Sequence, residues 1–178
     1  MRHVIIVITV AMVTMVVYAV PLWGFTVFNS PDENANAVFS MYVAEHGSLH
    51  IPAMYTGEGA EFFTPRSVQY RDGYYVPGSF IGLPLIYGVL GKLVPWMPFF
   101  TPLFALLGIL AFWGILRPIF SHQIATISAF LLLIHPAWWY YSSRGMFPNV
   151  LFVSLVLLGL YFLLKHKSVV HSENFLSK

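Results

Sequence analysis

The chain contains no cysteine. Disulfides and thiolate metal sites are therefore excluded, and any loop outside a core must be held by packing and hydrogen bonds. Charge is almost as scarce: Asp, Glu, Lys and Arg make up 9% of the residues, against about 25% in ordinary globular domains. A soluble protein this short of charge could not cover itself with polar surface, so lipid is the natural solvent. The net charge of +2 is too small and too scattered for a nucleic-acid partner. What fills the sequence instead is hydrophobic residues, 58% of the 178, gathered in long runs. The expected fold is an all-α membrane protein with the bilayer as its main partner.

Val4 to Phe28 is nearly unbroken apolar sequence preceded by Arg2 and His3. As a signal peptide it is too long, and Tyr18-Ala19-Val20-Pro21 lacks small residues at both cleavage positions. It reads as a retained span with its N-terminus in the cytoplasm. A polar loop from Asn29 to Pro77 follows and holds six of the seven acidic residues. Four apolar stretches come next, at Phe80–Val94, Phe99–Leu116, Ile124–Tyr141 and Val150–Leu164, and then a short polar tail.

The first of these four covers about 22 Å as a helix, short of the roughly 30 Å hydrocarbon core. Gly82, Pro84, Gly88 and Gly91 interrupt it. If it spanned, Arg117, Lys165 and Lys167 would fall outside, against the positive-inside rule. If it lies in the outer interface, Arg2, Arg117, Lys165 and Lys167 all sit inside. Four spans with juxtamembrane helices are expected, over the alternative of five. The domains are then a first span (1–28), a non-cytoplasmic loop with juxtamembrane helices and a small hairpin (29–97), a three-helix transmembrane segment (98–164) and a cytoplasmic tail (165–178). Trp23, Phe25, Trp96 and Trp138-Trp139-Tyr140-Tyr141 fall near outer span ends, as an interfacial aromatic belt requires.

In the loop, Ser30-Pro31-Asp32-Glu33 has the form of a helix start, with Ser30 as N-cap, Pro31 first in the helix and Glu33 closing a capping box. Ala35, Val38, Phe39, Tyr42 and Val43 recur at helical spacing, and Gly47 supplies a stop. This spacing turns Asp32 toward the bundle and leaves Glu33 with Asn36 and Ser40 on the wet face. Both acids also suit the simpler role of charge at a helix N-terminus. That role explains Glu33 better than Asp32, because a carboxylate aimed at an apolar face costs free energy without a purpose there. Asp32 is the better catalytic candidate, with Glu33 beside it.

Ser67 to Val76 carries a hairpin signal, with Asp72-Gly73 as the turn. Arg66 and Arg71 are the loop's cations, fit either to clamp a substrate phosphate or simply to be solvated. Arg144, in the second outer loop, lies against the charge rule and calls for a partner, either a lipid phosphate or a loop carboxylate such as Asp32. His46 and His50 are separated by Gly47, which argues against a zinc pair. His135, inside a span beside Pro136, is either functional or a neutral imidazole bonded to a freed carbonyl.

At these residues the chain resembles the polytopic GT-C glycosyltransferases, in the branch of protein O-mannosyltransferases and lipid A aminoarabinose transferases. Three features carry the resemblance. A span runs into Pro31-Asp32-Glu33 and a helix ending Glu45-His46-Gly47-Ser48-Leu49, followed by Pro52. Then Arg71-Asp72-Gly73-Tyr74-Tyr75-Val76-Pro77-Gly78 leads into Leu83 to Gly91. Last, Pro136 precedes Tyr140-Tyr141-Ser142-Ser143-Arg144-Gly145-Met146-Phe147-Pro148-Asn149.

The resemblance implies sugar transfer from a polyprenyl-phosphate donor to an acceptor on the outer face of a prokaryotic cytoplasmic membrane, with Asp32 the catalytic or metal-associated acid. Where the family often has a second acid, this chain has Asn149, which can ligate a divalent cation through its carbonyl oxygen but without charge. Such enzymes usually have many more spans, so the chain is expected to be the N-terminal portion of one, with a missing C-terminal part as partner. The competing reading is a non-catalytic subunit or truncated, inactive fragment that binds lipid or partner helices. A transporter fragment fits poorly, because the spans carry almost no ionisable residues.

Overall fold

The computed structural model describes residues 2–22 and 28–176, with side chains described for 5–20, 22 and 28–166. Trp23 and Phe25 therefore lie outside the described residues, as do the side chains of Arg2 and Lys167. The chain is mostly helical: α1 (Arg2–Ala19), α2 (Pro31–His46), α3 (Gly82–Gly91), α4 (Phe100–Leu116), α5 (His122–Leu133), α6 (Pro136–Ser142) and α7 (Pro148–Leu176). Three short strands, β1 (Ile51–Pro52), β2 (Val68–Arg71) and β3 (Tyr74–Pro77), lie between α2 and α3. The helices and strands form two compact units.

The first unit comprises residues 1–21, 102–143 and 149–178. Its core is Val7 and Tyr18 of α1, Ala105, Ile109 and Trp113 of α4, Ala125, Ala129 and Leu133 of α5, Trp138 of α6 and Val150 of α7. Alanines at the contacts let helices approach closely, as apolar helices in lipid require. Ile5, Met12, Val13, Val16 and Val17 of α1 and Phe152, Leu160 and Phe162 of α7 are exposed, the arrangement expected of lipid-facing surfaces.

Met97–Leu116 and Pro148–His166 are each long and apolar enough to cross a bilayer, and α5 with α6 makes a third span if the bent pair is counted as one. The expected continuous span Ile124–Tyr141 is in fact broken, with a 59° bend between α5 and α6. Pro136 causes it, because proline has no N–H for the carbonyl of Leu132 and its ring crowds the preceding turn. His135 N–H turns back to Leu132 O at 3.2 Å, and the Tyr18 hydroxyl donates to Leu133 O at 2.8 Å. Neighbouring helices commonly re-satisfy backbone freed by proline in this way. The bond expected of His135 to a freed carbonyl is thus made by Tyr18, and His135 is exposed. Of the first span, expected from Val4 to Phe28, the residues to Ala19 are α-helical and Val20–Leu22 form a 3-10 turn; residues 23–27 lie outside the described residues.

The second unit comprises residues 22–101 and 144–148. Its hairpin forms where the sequence places it: β2 and β3 pair antiparallel with Arg71 opposite Tyr74 and Gln69 opposite Val76. Asp72 and Gly73 take φ of 51° and 82°, the paired positive values of the mirror-image turn that matches strand twist. The sequence reading missed β1, which adds to the other side of β3 through Ile51 and Pro52. Two residues are too few to show a period of two, and Pro52 suits an edge strand.

Helix α3 has ten residues, so it rises about 15 Å, half of a hydrocarbon core. It buries Leu83, Pro84, Tyr87, Gly88 and Gly91 and packs against α2. Ile81, Leu85, Val89 and Leu93, spaced by four, stay exposed.

Candidate functional site

Helix α2 starts as its sequence dictates. Ser30 is extended at the N-cap, its hydroxyl accepts from Asp32 N–H at 3.3 Å, and Pro31 opens the helix. The reciprocal partner differs from expectation. Asn34, rather than Glu33, folds back on the entry: its Nδ2 donates to Phe28 O at 2.8 Å and Ser30 O at 3.0 Å, and its Oδ1 accepts from Phe28 N–H at 3.0 Å. Gly47 ends the helix in the left-handed conformation with its N–H on Val43 O. Replacing Ser30 by alanine removes one cap bond, and the unfolding free energy in detergent should fall by about 1 kcal/mol with transfer activity retained.

The buried face of α2 is wider than expected: it takes in the residues assigned to the wet side and leaves out Val38. Glu33, Asn36 and Ser40 are buried with Ala35, Phe39 and Val43, whereas Val38 and Met41 are exposed. Asp32 is half-buried. The reason is a partner 111 residues away in sequence. Arg144 Nε donates to both Glu33 oxygens, at 3.1 and 3.2 Å, and Nη2 donates to Oε2 in a third contact. The Glu33 side chain is 1% exposed and that of Arg144 22%. A carboxylate is buried at such depth only with a counterion and hydrogen bonds in good geometry. The guanidinium fork supplies both, and its Cζ lies 5.0 Å from the Phe147 ring centre. Arg144 thus has the carboxylate partner that its place in the sequence called for, but that partner is Glu33.

Asp32 is held differently. Ser67 Oγ donates to its Oδ1, and Ser67 itself sits at φ 70°, a conformation uncommon for a residue other than glycine. Nothing in the sequence singled out Ser67. The hairpin carries it to Asp32, and a turn-forming Ser before a strand gives no local sign of such a contact.

Beside this pair, α2 and the sheet enclose an open cleft of about 620 Å³. Ala35, Val38, Phe39, Ile51 and Val68 make its walls apolar, with Asn29, Arg66 and Tyr75 adding polar groups. Asp32 and Ser67 adjoin the lining residues Pro31, Arg66 and Val68 in the chain. Arg66 lines the cleft; Arg71, exposed at the hairpin turn, does not. Asn149 is exposed in the first turn of α7 and belongs to the first unit, Asp32 to the second. Among the described residues no three His, Asp or Glu side chains gather to hold a metal ion. Asp32, with one oxygen taken by Ser67, does not by itself make a cation cage.

These features define a polytopic membrane protein in which an ionic and hydrogen-bonded cluster is built on a short helix that follows its first apolar segment. The model of the dolichyl-phosphate-mannose-protein mannosyltransferase family matches residues 82–172, about half of the chain, and the chain belongs to that family. It is a glycosyltransferase of the mannosyltransferase type. The matched region begins with α3 and includes Arg144, while Asp32 and Glu33 precede it. No curated protein and no solved structure matches the chain.

Proposed function

We propose that the protein transfers a sugar from a polyprenyl-phosphate donor to an acceptor hydroxyl at the non-cytoplasmic face of the membrane, with Asp32 as the general base. The observation that carries this reading is the contrast between two adjacent acids. Glu33 has both oxygens committed to Arg144, whereas Asp32 is held through one oxygen by Ser67 and keeps its other oxygen for chemistry. In the step, Asp32 takes the acceptor proton as the acceptor oxygen bonds to the anomeric carbon. The bond from that carbon to the lipid phosphate oxygen breaks, and the phosphate leaves with the electron pair. Arg66, which lines the cleft, is the cation proposed to meet that phosphate, where fixed positive charge stabilises the leaving group; Arg71, away from the cleft lining, is given no part in the step. Glu33 and Arg144 keep the first turn of α2 seated on the second outer loop.

Transfer measured on Asp32→Asn tests the chemistry. The side of the membrane is tested separately, because a chain without cysteine admits clean single-cysteine labelling. Asn29→Cys in intact cells should react with a membrane-impermeant maleimide, and Pro118→Cys should react only after the membrane is opened. The opposite pattern would place Asp32 at the inner face and end the outer-face reading.

A further inference from the structure

We propose that Thr101 and Tyr87 are positioning residues for Arg144, acting through the backbone carbonyl of Gly145; the inference rests on the functional reading of the Glu33–Arg144 pair given above. The Arg144–Pro148 loop is caught at two successive carbonyls. Thr101 Oγ1 donates to Gly145 O at 2.5 Å, and Asn36 Nδ2 donates to Met146 O at 2.8 Å. Thr101 also meets the Tyr87 hydroxyl at 2.8 Å. A threonine hydroxyl has a single hydrogen, and here it goes to Gly145, so Tyr87 must be the donor in the second contact. The order is therefore Tyr87 O–H to Thr101 O–H to Gly145 C=O.

Both side chains are fully buried, and burial pushes the Tyr87 phenol above its ordinary range, which keeps the proton that this order needs. Packing leaves the loop little freedom: a Cβ on Gly145 would lie 2.7 Å from Pro98 Cβ. Gly145 is the residue after Arg144, so fixing its carbonyl fixes the peptide from which the guanidinium reaches Glu33. Packing alone would be served equally well by valine at 101 and phenylalanine at 87. The hydroxyls add direction, and chains of buried hydrogen bonds reinforce one another.

The test uses the full chain in lipid nanodiscs with a polyprenyl-phosphate sugar as donor, and compares Thr101→Val, Thr101→Ser and Tyr87→Phe, each alone and combined with Arg144→Lys. Thr101→Val should lower kcat about tenfold with KM within about twofold, the scale of one well-placed hydrogen bond. Thr101→Ser should restore most of the rate, and Tyr87→Phe should cost about threefold. In the Arg144→Lys background the Thr101 and Tyr87 changes should add less than about twofold, because the group they position has already been altered.

Full additivity in that background, or a Thr101→Ser variant as poor as Thr101→Val, would overturn the inference. If Thr101→Val does not fold, Tyr87→Phe with Arg144→Lys still decides through the same non-additivity. Should Arg144→Lys alone leave transfer unchanged, it is the functional reading of the pair that fails. A loss with Arg144→Lys beside unaffected Thr101 and Tyr87 variants defeats only the positioning role.

Discussion

Asp32→Asn should lower sugar transfer by about a hundredfold to ten-thousandfold, the range that a positioned general base contributes, while the protein inserts and unfolds as before. The substitution is well chosen for this site. Asn keeps the size of the side chain, and its Oδ1 can still accept from Ser67, so the N-terminal turn of α2 stays in place. The negative charge is lost, and with it the capacity to take a proton, at a cost to the helix N-terminus of at most about 1 kcal/mol. The measurement is turnover of a polyprenyl-phosphate sugar under saturating donor, with thermal unfolding recorded on the same sample. Unchanged turnover would remove Asp32 from the chemistry and favour a lipid-binding or assembly role for the chain. Lost turnover together with a lowered unfolding temperature would show that the residue is structural.

The second large effect concerns stability. Arg144→Ala leaves the Glu33 carboxylate in a site where it is 1% exposed, with the fork that met both its oxygens gone. Breaking a buried pair from one side costs about 3–5 kcal/mol, because the remaining charge is desolvated without compensation. Arg144 retains some exposure, which screens the pair and moves the expectation to the lower end of that range. The double replacement Arg144→Met with Glu33→Leu removes the stranded charge as well, so it should recover much of the loss. Unfolding in detergent, followed on the single and double variants, reads this directly. Equal losses in the two would mean that the site depends on shape and not on charge. Transfer should stay low in the double variant even where stability returns, since α2 then loses its charged hold on the loop and keeps only the Asn36 bond to Met146 O.

Much of the fold was legible because the signals were local. The hairpin needed only Asp72-Gly73 between aromatic arms, and the start of α2 needed only Ser30 and Pro31. The stop at Gly47 followed from glycine's access to the left-handed conformation. Pro136 announced a disturbance in its span, and the structure turned that disturbance into a 59° bend. Spacing failed on α2, where Glu33, Asn36 and Ser40 recur as regularly as Phe39 and Val43. Ala35, Phe39 and Val43 are buried as their spacing indicates, but assigning Glu33, Asn36 and Ser40 to the wet face was wrong, because polar residues can face inward when hydrogen-bonding partners meet them.

The sequence by itself determined a helical protein for lipid, with all but one of its acids in one loop, because composition and hydrophobic run length depend on nothing remote. Its resemblance to a glycosyltransferase family came from short runs of neighbouring residues, also a local property. Which acid has both oxygens engaged and which only one was decided by tertiary structure. Arg144 and Ser67 reach Glu33 and Asp32 across 111 and 35 residues of chain, and no periodicity in a linear sequence encodes so distant a contact. The free energy of burying a charge depends on what stands opposite it, and folding alone sets that.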